Sequence, residues 1–267
     1  MRFFLQLVVL IILVPNSGFT QWFEQDSIPY VDHYLSTSFV NQNRGWIASG
    51  SGIILRTTDA GESWGTIDQL QGNGFYSIFF VDSLTGWVAG SNARIFKTTN
   101  SGDNWVQQFE SIGHTLFALN FRDSNTGWAS GEGGSILKTT DAGNTWIEKY
   151  AGNSEIIYDV YFINDSIGWV CGSNGFISKS YDVGESWTQL ISGTIEVLSA
   201  IRYINQTDGW AVGNNGIILN TTDGGIIWNS SNLGSDWLSS LDFSSDSVGW
   251  ITGYYGLIYK TTDAGLT

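Results

Sequence analysis

Cysteine and positive charge are both scarce in this chain, and each scarcity excludes a class of protein. Cys171 is the only cysteine among 267 residues, so no disulfide can form within the chain. Eleven Lys and Arg residues against 25 Asp and Glu residues give a formal net charge of −14. Because phosphates need a basic surface, this charge argues against nucleic acid as a partner, which we therefore do not expect, and against adhesion to an anionic membrane.

Catalytic and metal-binding signatures are also missing. The two histidines show neither the spacing of a metal site nor a nearby nucleophile motif. A glycosidase would need two carboxylates at a defined separation, and no spacing pairs the four candidates, which are Glu132, Asp159, Asp236 and Asp242. We therefore predict no catalytic residue, no metal site and no cofactor.

Proline is nearly absent as well, whereas glycine and aromatic residues are plentiful. The chain has 2 Pro but 33 Gly and 13 Trp, and many turns combined with many aromatic residues are typical of an all-β protein. The length is sufficient for one large core or one ring of blades.

The N-terminus has the pattern of a secretory signal peptide. Arg2 precedes an apolar run from Phe3 to Val14, which is short for a membrane span, and small residues follow it. We predict that residues 1–20 are removed, that residues 21–267 form the mature protein without a transmembrane span, and that this protein is exported to the periplasm, the cell surface or the medium. The alternative is an uncleaved anchor.

One eight-residue motif, Thr57 to Trp64 in its first copy, recurs five more times at a period of 40 or 41 residues. Such a period indicates a propeller, a solenoid or an array. The Asp carboxylate is predicted to accept backbone N–H groups across a turn, the Gly to be left-handed, and the Trp to be buried with its N–H on a carbonyl. A residue repeated in every unit is expected to be structural. The acidic or amide positions are Asp59, Asn100, Asp141, Asp182, Asp223 and Asp263, and the tryptophans are Trp64, Trp105, Trp146, Trp187 and Trp228.

A second motif, Gly-Trp, keeps the same period and predicts another hairpin, with its Gly at positive φ. An aromatic residue six positions before each Gly belongs to an alternating strand, and these aromatics are predicted to pack one unit against the next. The third strand of five units ends in Lys or Arg, interpreted as a half-exposed stem over apolar surface. Each unit therefore has four short antiparallel strands. The glycines are Gly45, Gly86, Gly127, Gly168, Gly209 and Gly249.

The first motif matches the Asp-box repeat of bacterial neuraminidases, and the longer unit resembles the photosystem II stability/assembly factor family. The resemblance covers the whole mature chain and implies a β-propeller that holds a protein client. The predicted fold class is all-β, a β-propeller of four-stranded antiparallel blades with six repeats visible. Either a strand at Gln21–Gln25 completes a six-bladed ring, or the sequence is a fragment of a seven-bladed ring.

Function is expected on the loops that join strand two to strand three and strand four to the next strand one, which together form the loop face. We predict a non-enzymatic, exported scaffold that binds a protein client there. The alternative is a carbohydrate-active propeller, either a glycoside hydrolase or a glycan-binding surface protein. The predicted binding residues are Asn92, His114, Glu132, Asn174, Asn214, Asn215, Trp237, Tyr254 and Tyr255.

Overall fold

The computed structural model describes residues 33–70, 74–111, 113–152 and 155–265. The predicted signal peptide and the predicted strand at Gln21–Gln25 lie outside the described residues. The chain divides into two compact units, Met1–Ser124 and Asn125–Thr267. Within the described residues, no helix has the length and apolarity needed to cross a membrane.

The first unit is built from short strands separated by turns. Its strands are β1 (Tyr34–Phe39), β2 (Gly45–Ser49), β3 (Ile53–Thr57), β4 (Gly65–Gln69), β5 (Phe75–Phe80), β6 (Gly86–Gly90), β7 (Ile95–Thr98), β8 (Val106–Phe109) and β9 (Leu116–Phe121).

The second unit continues the pattern and adds four three-residue 3₁₀ turns, η1 to η4. Its strands are β10 (Gly127–Gly131), β11 (Ser135–Thr139), β12 (Ile147–Tyr150), β13 (Ile157–Phe162), β14 (Gly168–Gly172), β15 (Ile177–Ser180), β16 (Thr188–Leu190), β17 (Leu198–Tyr203), β18 (Gly209–Gly213), β19 (Ile217–Thr221), β20 (Asn229–Asn232), β21 (Leu238–Phe243), β22 (Gly249–Gly253) and β23 (Ile258–Thr261). The turns are η1 (Glu132–Gly134), η2 (Ser173–Gly175), η3 (Asn214–Gly216) and η4 (Tyr254–Gly256).

Each sheet pairs its strands in chain order, and the described residues form six such sheets. Five have four strands, and the last has the three strands β21, β22 and β23. Neighbouring strands pair antiparallel; Trp169 of β14, for example, lies opposite Tyr161 of β13 and Lys179 of β15. The predicted all-β class with four-stranded units is confirmed. Strand four begins one residue after the motif Trp, as at Gly65 after Trp64.

The Gly-Trp tryptophans form the contacts between neighbouring sheets. Trp46 stacks on Phe80 of the following sheet with ring centroids 3.6 Å apart and planes 4° apart, and both side chains are buried. Trp169 stacks on Tyr203 at the same 3.6 Å distance. Stacked aromatic pairs stabilise a structure beyond the area they bury. The predicted packing of each sequence repeat against the next is therefore confirmed inside both compact parts of the chain, Met1–Ser124 and Asn125–Thr267.

The Gly of the Gly-Trp motif is needed for space in five of the six repeats, and the predicted positive φ is wrong. The backbone angle φ of Gly86, for example, is not positive. A Cβ atom at Gly86 would lie 2.6 Å from Phe80 Cγ and Cδ1, closer than carbon atoms can approach. The ring of Phe80 therefore lies between Gly86 on one side and the Trp46 indole on the other.

The Asp-box turn is held by its carboxylate and by a neighbouring hydroxyl. In the fourth copy, the backbone N–H of Ser186 donates to Asp182 Oδ1 at 2.8 Å, and the Ser186 hydroxyl donates to Oδ2 at 2.6 Å. The backbone N–H of Gly184 donates to Ser180 Oγ, and Gly184 has φ 78°. Asn100 accepts the equivalent backbone bond from Asn104 at 3.0 Å, so an amide can replace the carboxylate.

The indole N–H groups differ from expectation. The Asp-box tryptophans Trp64, Trp105, Trp187 and Trp228 are buried at Nε1 without a protein acceptor among the described residues. The Gly-Trp residue Trp46 instead donates to the carbonyl of Ser101, in the Asp-box turn of the next sheet, at 2.9 Å. We predicted a hydrogen bond from the Asp-box tryptophans to a carbonyl, and a tryptophan of the Gly-Trp motif makes such a bond instead.

Two of the five strand-three cations, Lys138 and Lys179, are more buried than expected and bind the next Asp-box turn. Lys138 is 6 % exposed, and its Nζ lies 2.5 Å from Glu185 Oε1, while Lys149 Nζ lies 2.6 Å from Oε2 of the same glutamate. Lys179 is equally buried, donates to the carbonyl of Gly224 at 3.0 Å and lies over the ring of Trp169. The half-exposed stem predicted for these two lysines is wrong.

The Asp-box hydrogen bonds predict a loss of stability in acid. Bonds from the Thr145 and Ser186 hydroxyls, followed by bonds from the same residues' backbone N–H groups, lower the pKa of Asp141 and Asp182 below the ordinary 3.8. A lowered folded-state pKa stabilises the protein above that value, and this stabilisation is lost as pH falls through the folded pKa. We expect the urea concentration at the unfolding midpoint of the wild type to decrease as the pH is lowered below about 4.

The double variant Asp141→Asn/Asp182→Asn tests whether protonation of these two carboxylates causes the loss of stability in acid. Because Asn keeps the acceptor oxygen but cannot be protonated in this range, the variant should lose less stability than the wild type on acidification. Asp246→Asn, which lies outside every Asp box, is the control and should follow the wild type. Parallel pH profiles for all three proteins would contradict the prediction.

Candidate functional site

The loop face of the second unit is built from η1 to η4 and from the segments that lead from each strand four into the next strand one. Backbone hydrogen bonds connect these loops across neighbouring sheets. The N–H of Gly175 donates to the carbonyl of Glu196 at 2.8 Å, and the N–H of Gly216 donates to the carbonyl of Asp236 at 2.7 Å. The surface is therefore continuous over several loops.

Two glutamates on this face are held by asparagine side chains. Asn174 Nδ2 donates to Glu155 Oε2 at 2.8 Å, and Asn215 Nδ2 donates to Glu196 Oε2 at 2.9 Å. Both asparagines have positive φ, 53° and 51°, a conformation that Asn tolerates better than most residues. The turns thus orient a carboxylate at two successive positions.

Aromatic side chains form the next part of the same surface. Trp237 and Tyr254 stack with ring centroids 5.8 Å apart and planes 15° apart, and Tyr254 is 45 % exposed. Tyr255 has φ 60° and is 71 % exposed. An L-residue with a bulky ring rarely adopts this φ, and such backbone strain is found preferentially where a side chain is used.

Tyr158, in the first strand of its sheet, was missed by the sequence reasoning. Burial, and then the nearby Glu132 and Tyr254, raise the pKa of the Tyr158 phenol, while a hydrogen bond with Ser173 acts in the opposite direction. The Tyr158 phenol therefore interacts electrostatically with two of the predicted binding residues, Glu132 and Tyr254. Tyr158 is the second residue of β13, and the second residues of β5 and β9 are also aromatic, Tyr76 and Phe117. This recurring aromatic position was the signal in the sequence.

A groove on this face that contains two exposed isoleucines among polar residues was also missed. A cavity of about 760 Å³ is lined by the segment 189–195 together with Asn174 and Gly175. Ile191 and Ile195 line it and are 86 % and 83 % exposed. Two isoleucines among Ser, Gly and Thr in a loop were the signal in the sequence.

The remaining predicted residues lie on loops as expected, but not together. Asn214 begins η3, and its backbone N–H donates to the carbonyl of Val197 at 3.0 Å. Asn92 and His114 belong to the first unit, where the His114 carbonyl accepts the N–H of Ala93 at 2.7 Å and the His114 side chain is exposed. Their role in binding stays a prediction.

The carboxylates considered for glycoside hydrolysis are not equivalent. Asp159 is buried, pairs with the guanidinium of Arg202, and accepts the backbone N–H groups of Val160 and Ile201 at 2.9 and 3.0 Å. Both of its oxygens therefore serve the packing of β13 against β17. Asp242 is exposed and accepts the N–H of Phe243. Among the described residues, no group of three or more His, Cys, Asp or Glu side chains is placed to hold a metal ion.

Solved structures similar to this chain share its fold. A structure described as YCF48 bound to D1 peptide has TM-score 0.75 and 23 % identity, over 91 % of this chain and 83 % of that one. YCF48 from Cyanidioschyzon merolae has TM-score 0.76 and 15 % identity, over 93 % and 87 %. These likenesses show the β-propeller fold, with six blades among the described residues.

A third structure comes from a glycoside hydrolase class. The GH74 enzyme of Niastella koreensis has TM-score 0.73 and 17 % identity over 88 % of this chain, which spans 46 % of that enzyme. This likeness also shows the fold alone.

A family model assigns the chain independently of these structures. The model for photosynthesis system II assembly factor YCF48 matches residues 14–111, 64–153, 96–181 and 181–267. No protein with curated annotation matches the chain. Because the matches together extend over nearly the whole sequence, the chain belongs to the photosynthesis system II assembly factor YCF48 family.

Proposed function

We propose that this protein is an exported, non-enzymatic scaffold that binds a protein client on the loop face of its second unit. The observation that carries the proposal is the continuous surface of aromatic side chains and oriented polar groups over η2, η3 and η4. Exposed aromatic rings beside amides are typical of protein-binding surfaces. A related structure contains YCF48 with a D1 peptide, which supports a protein as the ligand class.

The other parts of the proposal rest on separate observations. Export is supported by the N-terminal pattern of Arg2 and the apolar run from Phe3 to Val14. A scaffold without catalysis is supported by Asp159, whose two oxygens are occupied by Arg202 and by backbone N–H groups.

Site-specific photocrosslinking tests the binding surface. We expect p-benzoylphenylalanine at Tyr255, which is 71 % exposed, to capture a specific protein in the compartment to which the protein is exported. The matched control is the same substitution at Tyr181, which is 60 % exposed in an Asp-box turn at the opposite end of its sheet. Equal capture at both positions, or none at Tyr255, would contradict the proposal, and retention of the protein in the cytoplasm would contradict export.

The carbohydrate-active alternative shares its fold with GH74 propellers and is tested by activity. Hydrolysis of xyloglucan by the purified protein that is lost in Asp242→Asn would replace the scaffold proposal with a glycosidase. We expect no hydrolysis by either protein.

A further inference from the structure

We infer that the loop face of the second unit binds a positively charged, aliphatic segment of its client, an inference that rests on the proposed function. The occupant is an extended stretch of another protein in which Lys or Arg residues lie among aliphatic ones. Three features of the described residues define this chemistry: two exposed isoleucines that line a groove of mixed polarity, carboxylates near it, and the placement of every cation in the unit.

The groove supplies the apolar contact. Ile191 and Ile195 leave more than four fifths of their surface exposed, on a loop fixed by the hydrogen bond from Gly175 N–H to the Glu196 carbonyl. Isoleucine is among the residues most often buried in proteins, so two exposed copies lining one groove favour a partner that covers them.

Carboxylates lie next to residues that line the groove. Glu155 is held by Asn174, which lines the groove, and Glu196 follows Ile195 directly and is held by Asn215. Asp236 continues the series beside Trp237. An amide partner orients a carboxylate but leaves its charge in place, so the surface around the groove is negative.

The Lys and Arg side chains of the second unit all contact groups other than the loop-face carboxylates Glu155, Glu196 and Asp236. Lys138 and Lys149 bind Glu185 in an Asp-box turn, and Lys179 binds the carbonyl of Gly224 in the next one. Arg202 pairs with Asp159 between strands, and Lys260 lies over the ring of Trp250. Within the described part of this unit, the negative charge of the loop face is therefore not balanced by Lys or Arg.

Charge complementarity then selects the partner. A second copy of this chain, with a net charge of −14, would be repelled, as would an anionic lipid surface. A Lys- or Arg-bearing segment would be attracted, and the stacked rings of Trp237 and Tyr254 offer a face for its cations. Aliphatic residues of the same segment would cover Ile191 and Ile195.

Fluorescence anisotropy with three synthetic peptides of equal length tests the inference. One alternates Lys with Leu, one alternates Lys with Ser, and one alternates Glu with Leu. We expect the Lys/Leu peptide to bind at least about tenfold more tightly than either of the others, and its affinity to fall by a similar factor near 1 M salt, where the Debye length is about 3 Å. Glu155→Gln/Glu196→Gln and Ile191→Ser/Ile195→Ser should each weaken its binding about tenfold.

Matched variants separate this surface from non-specific attraction. Asp208→Asn/Asp246→Asn removes the same charge near strand-one-to-two turns, where Asp208 also has an Asn partner. Ile226→Ser/Ile227→Ser removes another exposed isoleucine pair, in an Asp-box turn. Both controls should bind like the wild type.

Three outcomes would overturn the inference: no binding of the Lys/Leu peptide, equal binding of the Glu/Leu peptide, or equal losses in the control variants. The crosslinking experiment at Tyr255 decides separately whether a client exists, so the scaffold proposal can survive if the client segment is not cationic.

Discussion

Replacing Trp169 with Ala is expected to lower the free energy of unfolding by about 3–5 kcal/mol, the range for large aromatic residues removed from a core. Trp169 is fully buried, stacks on Tyr203 at 3.6 Å and lies 4.8 Å beneath the Lys179 ammonium. Its loss would open a cavity between two sheets and remove the ring that faces a buried charge. Because domains are commonly stable by only about 5–15 kcal/mol, this single change should approach the limit of folding.

Trp187 provides the comparison within the same protein. It belongs to the Asp-box series, is half-buried and contacts Phe162 edge-on at 5.8 Å. We expect Trp187→Ala to cost roughly half as much, since less of the ring is removed from water. Urea unfolding followed by circular dichroism measures both variants, and a larger loss for Trp187→Ala would show that the Asp-box series carries the packing instead.

Replacing Gly86 with Ala is expected to be the next most damaging change, although it adds a single methyl group. The new Cβ would lie 2.6 Å from Phe80 Cγ and Cδ1, and the ring cannot retreat because the Trp46 indole lies 3.6 Å behind it. Overpacking of this kind costs about 1–3 kcal/mol, and displacement of the ring adds the loss of the stack.

Gly65→Ala is the control for the Gly86 variant. A Cβ at Gly65, the first residue of β4, would meet no atom within 4 Å. The substitution should be neutral or stabilise by about 0.5 kcal/mol, because Ala restricts the unfolded chain. The comparison uses the same urea midpoints, and equal losses in both variants would mean that backbone conformation, and not the aromatic ring, makes Gly necessary at position 86.

The repeat made most of the fold predictable from sequence. Its period predicted strand three of the first repeat at Ile53–Thr57 and strand one of the third at Leu116–Phe121, and the structure has both strands at these positions. A sheet that recurs after a fixed number of residues leaves little freedom in where each strand begins and ends. The reason for the motif glycine was predicted wrongly. A sequence shows that Gly is required but does not show whether a backbone angle or a neighbouring ring requires it.

The candidate site was predictable only in outline. Tyr254 and Tyr255 stood out because they depart from the small polar residues of the sister turns. Tyr158 did not, since an aromatic residue in an alternating strand is ordinarily part of the core. Ile191 and Ile195 were overlooked because exposure is set by the path of a loop, on which a repeat pattern carries no information.

The bonds that join neighbouring sheets at the Asp-box turns have a consequence for how this protein can evolve. Trp46 and Arg56 both donate to the carbonyl of Ser101, and Lys138 binds Glu185, so each of these links ends on a turn remote from the loop face. In repeat proteins of this kind, stability depends mainly on nearest-neighbour interfaces. Substitutions in the opposite loops can therefore accumulate without weakening those interfaces. The family can exchange one ligand for another by drift at one end of its sheets, while selection for folding acts at the other.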